Sequence, residues 1–244
     1  MVLLICPALF AQTNTLRLAA AADLQPLLPP ILTAFQQQTG ITVLPSYQAS
    51  ATLATEIING APFDLFLAAD MSFPQRVIDA GKATEANPVA YARGTLVLWT
   101  RNDSRISPLS LSALAGPAVR SIAIANAQHA PYGRAAEAAL QHLGLFPAAR
   151  PKLVIAENIA QAAQYADSGN AQVGFISLTA ALTPRLRADG HYIAVPQAAY
   201  APIVQGAVVI RGSANVAAAK LFLNFLLSPE TEKQLAASGL EPIH

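Results

Sequence analysis

Four short stretches of this chain share a form that suits anion capture. Each ends an apolar run and opens a helix: AAAD-LQP at Asp23, SYQAS-ATL at Ser50, NAQHAPYG-RAA at Tyr132 and Gly133, and AEN-IAQAA at Asn158 and Ile159. The first turn of a helix has unpaired N–H groups and a partial positive charge, so it holds anions without a lysine or arginine. Four such openings on one cleft would enclose a small oxyanion with backbone N–H and hydroxyl donors. Each also has an ordinary structural explanation. Asp23 and Ser50 are favoured N-caps, Tyr132 alone reads as a packing residue, and Asn158 reads as a cap or turn.

The elements that must position these junctions alternate between strand and helix. TLRLAAA (15–21), ITVLPSY (41–47) and FDLFLAA (63–69) read as strands. Between and after them the spacing predicts helices from Leu24 to about Thr39, over Thr52–Asn59 and near Phe73–Ala80, closed by Gly40, Gly60 and Gly81. GTLVLWT (94–100), RSIAIAN (120–126), KLVIAE (152–157), AQVGFIS (171–177), HYIAVP (191–196) and IVQGAVVI (203–210) continue the strands. Helices are expected at about Arg134–Leu143, Ile159–Asp167 and Val216–Leu227, with a shorter one ending at Gly239. Repeated β-α-β units imply α/β layers with largely parallel pairing. No long linker divides the chain, so two lobes must share it by crossing over, near Tyr91 and Tyr200. Ligands in such folds bind beyond the carboxyl ends of strands, between the lobes.

Composition excludes several classes. The chain has 244 residues, a formal net charge of +1 and 53% hydrophobic residues. That balance gives no general attraction to nucleic acid or acidic membranes. The opening MVLLICPALFAQT is too short to cross a bilayer, which needs roughly 20 apolar residues. It resembles the apolar region of a secretory signal, with cleavage after Ala11. Its Cys6 is the one cysteine; bulky Ile5 argues against acylation there. The mature chain would then carry no disulfide or thiol chemistry, which suits a periplasm.

Longer motifs carry a family resemblance. YQASATLATEIINGAPFDLFLAAD (47–70), IANAQHAPYGRAAEAALQHLGL (124–145), AENIAQAAQYADSGNAQVGFISL (156–178) and YAPIVQGAVVI (200–210) resemble the molybdate-binding periplasmic proteins of ABC importers, the ModA type. The resemblance spans nearly all of the mature chain. It implies the type II periplasmic-binding-protein fold: two α/β lobes with mixed sheets, joined by two crossover strands and closing over a tetrahedral oxyanion. Lobe one would be residues 14–90 plus 200–244, and lobe two 91–199. Ser50 would give its hydroxyl and N–H, Tyr132 its N–H and in some relatives its hydroxyl, and Ile159 its N–H alone. Ser177 stands where some relatives place a tyrosine donor. The ligand would be molybdate or tungstate, with no cofactor, no covalent chemistry and no nucleic acid. The partner would be the ABC permease, served by an exported monomer.

Asp23 departs from the family pattern, which has serine or a Thr-Asn pair where this chain has Ala22-Asp23. An ionised carboxylate offers only acceptors. Two like charges about 4 Å apart cost about 4 kcal/mol at an effective dielectric of 20. Three resolutions follow. Asp23 turns away and caps its helix, or it is protonated and donates to the anion, or it accepts from a protonated, phosphate-like oxyanion.

Two other classes read poorly. Ser50, His129 and an aspartate can be imagined as a triad, but YQASA is no G-x-S-x-G elbow. The four histidines (129, 142, 191 and 244) lack metal-ligand spacing. The effector domain of a transcription regulator would share the fold, but no segment reads as a helix-turn-helix.

Overall fold

The computed structural model describes residues 15–243; the expected signal segment and Cys6 lie outside them. In chain order come β1 (Thr15–Ala21), a 3-10 turn at Ala22–Leu24, α1 (Leu28–Thr39), β2 (Thr42–Gln48), α2 (Ser50–Ile58), β3 (Leu65–Ala68), α3 (Ser72–Asp79) and β4 (Val89–Gly94). Then follow β5 (Leu96–Arg101), β6 (Ile122–Ala125), α4 (Pro131–His142), α5 (Phe146–Ala149), β7 (Leu153–Ala156), α6 (Ile159–Asp167), β8 (Val173–Ser177), α7 (Leu178–Ala181), α8 (Pro184–Asp189) and β9 (Gly190–Ala194). The chain closes with β10 (Ile203–Val209), α9 (Val216–Leu226), α10 (Pro229–Ala237) and β11 (Leu240–Glu241).

The strands form two mixed sheets, ordered β11-β4-β10-β3-β1-β2 and β7-β6-β8-β5-β9. In the first, β1 pairs parallel with β2 and β3, while β10 runs antiparallel to both β3 and β4. In the second, β6 pairs parallel with β7 and β8, and β5 runs antiparallel to β8 and β9. The chain passes between sheets at Thr95 and again between Ala194 and Ile203. The first passage falls at Thr95 rather than at Tyr91, because β4 carries Tyr91 within the first sheet, paired with β10 and β11.

Apolar residues cover both faces of each sheet. On one face of the first sheet Leu16, Leu18, Leu65 and Leu67 meet Leu28, Phe35 and Phe222. Ala19, Phe66 and Val208 pack on the other face against Leu53, Ile57, Phe73 and Val77. In the second sheet Trp99 is fully buried against Ala166 and Ile176. A further cluster holds Leu96, Ile122, Ile124 and Phe175 together with Ala21, Ala22 and Ala69 of the first lobe. Small residues therefore let the lobes come into contact where the predicted junctions lie.

Helix starts are where the structure differs most from the sequence reading, and proline explains two of the cases. α1 begins at Leu28 rather than Leu24. Pro29 and Pro30 then fall in its first turn, where a missing N–H costs nothing; a start at Leu24 would have buried them in the helix interior. α4 begins at Pro131 rather than Arg134, with Pro131 in the first helical position, so Tyr132 and Gly133 are first-turn residues. α2 begins at Ser50, with Ala49 as its N-cap.

Gly133 is required by a close approach: a Cβ there would lie 2.2 Å from the Ala125 carbonyl oxygen and 2.8 Å from its carbon. Gly133→Ala should destabilise the protein by about 1–3 kcal/mol in urea unfolding, as overpacking does. A gain of about 1 kcal/mol, the helix-propensity effect alone, would contradict this packing.

Candidate functional site

Strands β1, β2, β6 and β7 deliver their carboxyl ends to one place between the lobes. There a cavity of about 10 Å³ is lined by Ala22, Asp23, Ser50, Tyr132, Asn158 and Ile159, along with Ala21, Gln48, Ala49, Ala69, Ala130 and Pro131. That volume is about the room one water molecule needs. Four of the five sequence-predicted residues, Asp23, Ser50, Tyr132 and Ile159, are brought together here, two from each lobe. All four are buried.

Ser50 opens α2, and its hydroxyl oxygen accepts the Ala69 N–H at 3.0 Å. That bond occupies a lone pair and leaves the hydroxyl proton free to donate. The next N–H of the same helix, on Ala51, donates to the His129 carbonyl across the cleft at 3.1 Å. Tyr132 follows Pro131, which has no N–H, and Gly133 and Arg134 both turn their N–H groups to the Ala130 carbonyl. The Tyr132 N–H is the first donor of α4. In α6, Asn158 caps the helix by accepting the Gln161 N–H at 3.0 Å. Ile159 in the first helical position has no intrahelical acceptor for its own N–H. The structure therefore gathers one hydroxyl and several first-turn N–H groups from three helices, with their dipoles converging.

Asp23 does not cap a helix. It sits inside the 3-10 turn, where no side-chain cap bond forms, and its carboxylate turns inward. Oδ2 accepts the Tyr132 hydroxyl at 3.1 Å and the Gln205 amide. Oδ1 has no hydrogen-bond partner in another residue. The Asp23 carbonyl also accepts the Thr179 hydroxyl at 2.8 Å. Burial raises the Asp23 pKa from 3.8 to about 6, against the lowering effect of the Gln205, Tyr132 and own-backbone hydrogen bonds. Burial and the neighbouring Asp23 charge hold the Tyr132 hydroxyl well above its ordinary range, so it remains a donor. Gly94, at the end of β4, makes room for that hydroxyl: a Cβ there would lie 2.1 Å from Tyr132 Oη.

Ser177 is the exception among the expected residues. Its hydroxyl oxygen caps α7 by accepting the Ala180 N–H at 3.3 Å, and its proton goes to Thr179 Oγ1 at 2.8 Å, because the Thr179 proton is given to the Asp23 carbonyl. It lines a neighbouring interlobe cavity with Gln25, Pro26 and Ala163, not the one around Ser50. Sequence reading also missed Gln205 and Thr179. A glutamine inside the apolar run IVQGAVVI is a signal that could have found the first; it is fully buried on β10. No such signal marks Thr179.

His129 lies at the surface, with Nδ1 3.2 Å from Glu157. Its imidazole therefore serves no Ser50-based triad. Among the described residues no group of three or more His, Cys, Asp or Glu could hold a metal ion. No helix among them is long and apolar enough to cross a membrane.

A two-lobed α/β fold with a small cavity between the lobes, at the convergent ends of its strands, is the architecture of a solute-binding protein. The chain belongs to the bacterial extracellular solute-binding protein family, whose model matches residues 16–241. Within this family it is similar to proteins of the ModA type. It is 37% identical over 223 residues to the molybdate-binding protein ModA of Rhodobacter capsulatus, covering 91% of this chain and 86% of that one. It is 33% identical over 229 residues to ModA of Azotobacter vinelandii, covering 94% and 90%. The solved periplasmic molybdate-binding protein of Azotobacter vinelandii superposes with a TM-score of 0.87 at 32% identity, covering 94% of this chain and all of that chain.

The buried Asp23 carboxyl makes stability depend on pH with a definite sign. Between 3.8 and about 6 the folded chain holds the proton and the unfolded chain does not. Stability contributed by this group is therefore full below about pH 4 and lost as pH rises through 6, by up to about 3 kcal/mol. Urea midpoints of the wild-type chain and Asp23→Asn, compared across this range, should converge at the acid end and separate above it. A constant difference would contradict the burial of an ionisable group.

Proposed function

We propose that this protein is the exported receptor of an ABC importer. It captures a tetrahedral oxyanion, molybdate or tungstate, between its lobes and presents it to the permease. The observation that carries the reading is the meeting of three helix N-termini from two lobes at one small cavity, with the Ser50 hydroxyl left free to donate by the bond from Ala69. The ModA-type relatives, which bind molybdate by name, support the choice of anion.

Ser50 donates through Oγ and N–H, Tyr132 and Ile159 through N–H, and Asp23 through its backbone N–H. Donors of fixed geometry select by size, since they cannot contract around a smaller ion. The lobes rotate about the passages at Thr95 and residues 195–202, and the anion shifts the population toward the closed form because only that form contacts it from both sides. The process needs no cofactor and breaks no bond. We read the protein as a non-enzymatic monomer working in the periplasm.

Asp23 sets the electrostatic terms. With its pKa raised to about 6, Asp23 is neutral below that pH, where it adds no repulsion to a bound dianion and its acid proton is a further donor. A second reading rests on Oδ1, which has no partner in another residue: an ionised Asp23 would accept a proton-bearing oxygen and favour a phosphate-like anion.

Calorimetric titration with molybdate, tungstate, sulfate and phosphate separates these readings. We expect molybdate and tungstate to bind tightly and phosphate not to compete. Ser50→Ala should lose roughly 1–3 kcal/mol of molybdate affinity, as removal of one hydrogen bond to a charged group does. Unchanged affinity would remove Ser50 from the site, and preferential phosphate binding would establish the second reading.

A further inference from the structure

We propose that Asp70 and Arg134 form a closure latch: an ion pair outside the anion cavity that governs how long the anion is held. Asp70 follows β3 in the first lobe, and Arg134 lies on α4 in the second. Neither lines the cavity. Asp70 is fixed in place by the start of α3: Oδ1 accepts the Phe73 N–H at 3.1 Å and Oδ2 the Ser72 hydroxyl at 2.8 Å. Arg134 Nη2 reaches across the cleft to Oδ2 of the same carboxylate. Its guanidinium also lies over the Phe73 ring, 5.2 Å from the centroid. The aspartate side chain is 15% exposed and the arginine 42%, so the pair is partly withdrawn from water and stronger than one at the open surface.

Position gives this pair its role. Arg134 is two residues beyond Tyr132 on the same helix, so α4 cannot leave the cavity without also leaving α3. The Asp70–Arg134 bond and the stacking on Phe73 exist only while the lobes are together. Contacts confined to the closed form multiply ligand affinity by their own weight in the open–closed equilibrium, and their loss falls mainly on dissociation. The pair thus acts on the anion through lobe closure, as positioning residues, and this role rests on the oxyanion-capture reading above.

The sign of one substitution separates a latch from simple attraction. Asp70→Asn removes a negative charge near an anion site, so direct electrostatics would tighten binding; Asn still caps α3. A latch gives the opposite result. We expect Asp70→Asn and Arg134→Gln each to release molybdate about three- to tenfold faster in stopped-flow displacement, with association nearly unchanged. The double variant should be no faster than either single one, and Arg134→Lys should recover part of the effect. Small-angle scattering of the same chains without anion should show a larger mean radius for both single variants. Tighter binding by Asp70→Asn, or release rates and radii equal to wild type, would overturn the latch. Absence of molybdate binding by the wild-type chain would overturn the functional reading instead, and the scattering comparison then decides the latch on its own.

Discussion

A buried carboxylate meets a tyrosine hydroxyl from the opposite lobe, and the arrangement of the cleft depends on that meeting. Asp23 and Tyr132 are 109 residues apart in sequence and 3.1 Å apart in space. For the contact to form, β1 must end in small residues, Gly94 must leave room for the phenol, and Gln205 must come up from β10. α4 must also begin at Pro131, so that Tyr132 falls in the first turn. Each condition is local, yet together they bring the start of α4 in the second lobe against the turn after β1 and the start of α2 in the first.

In the capture proposed above, the same constraint reconciles a bound anion with a carboxyl group in the site. Charge is managed by placement rather than by cations. The proposed donors are first-turn N–H groups and one hydroxyl, each held in place within its own lobe by the helix that carries it. Preorganised donors in a water-poor cavity cost little reorganisation and act in a low dielectric. Burial that makes those donors effective also disfavours ionisation of Asp23, so the two effects reinforce each other.

Much of this was legible in the residues. Strand-helix alternation anticipates every strand of the two sheets except β4 and the short β11, and positions the junctions at Asp23, Ser50, Tyr132 and Ile159. What local pattern could not supply was register and direction. Prolines at 29, 30 and 131 move helix starts by three or four residues, and that shift decides which N–H groups remain free. The partner of Asp23 on β10 is 182 residues away, beyond any periodicity. Ser177 entered only through the resemblance, in which some relatives place a tyrosine there; its oxygen caps the helix that follows and its proton goes to Thr179 Oγ1. Asp23 looked like a cap on local pattern alone, and tertiary contacts claim it instead.

The most direct test of the capture geometry is a crystal structure of the full chain with molybdate, the metal located by its anomalous scattering. We expect one peak between the lobes, with anion oxygens within hydrogen-bond distance of Ser50 Oγ and of the N–H groups of Tyr132 and Ile159. Asp23 should still accept from Tyr132 and Gln205. A peak elsewhere on the molecule, or an Asp23 side chain swung out to solvent with its bond to Tyr132 broken, would contradict the central role given to this buried pair.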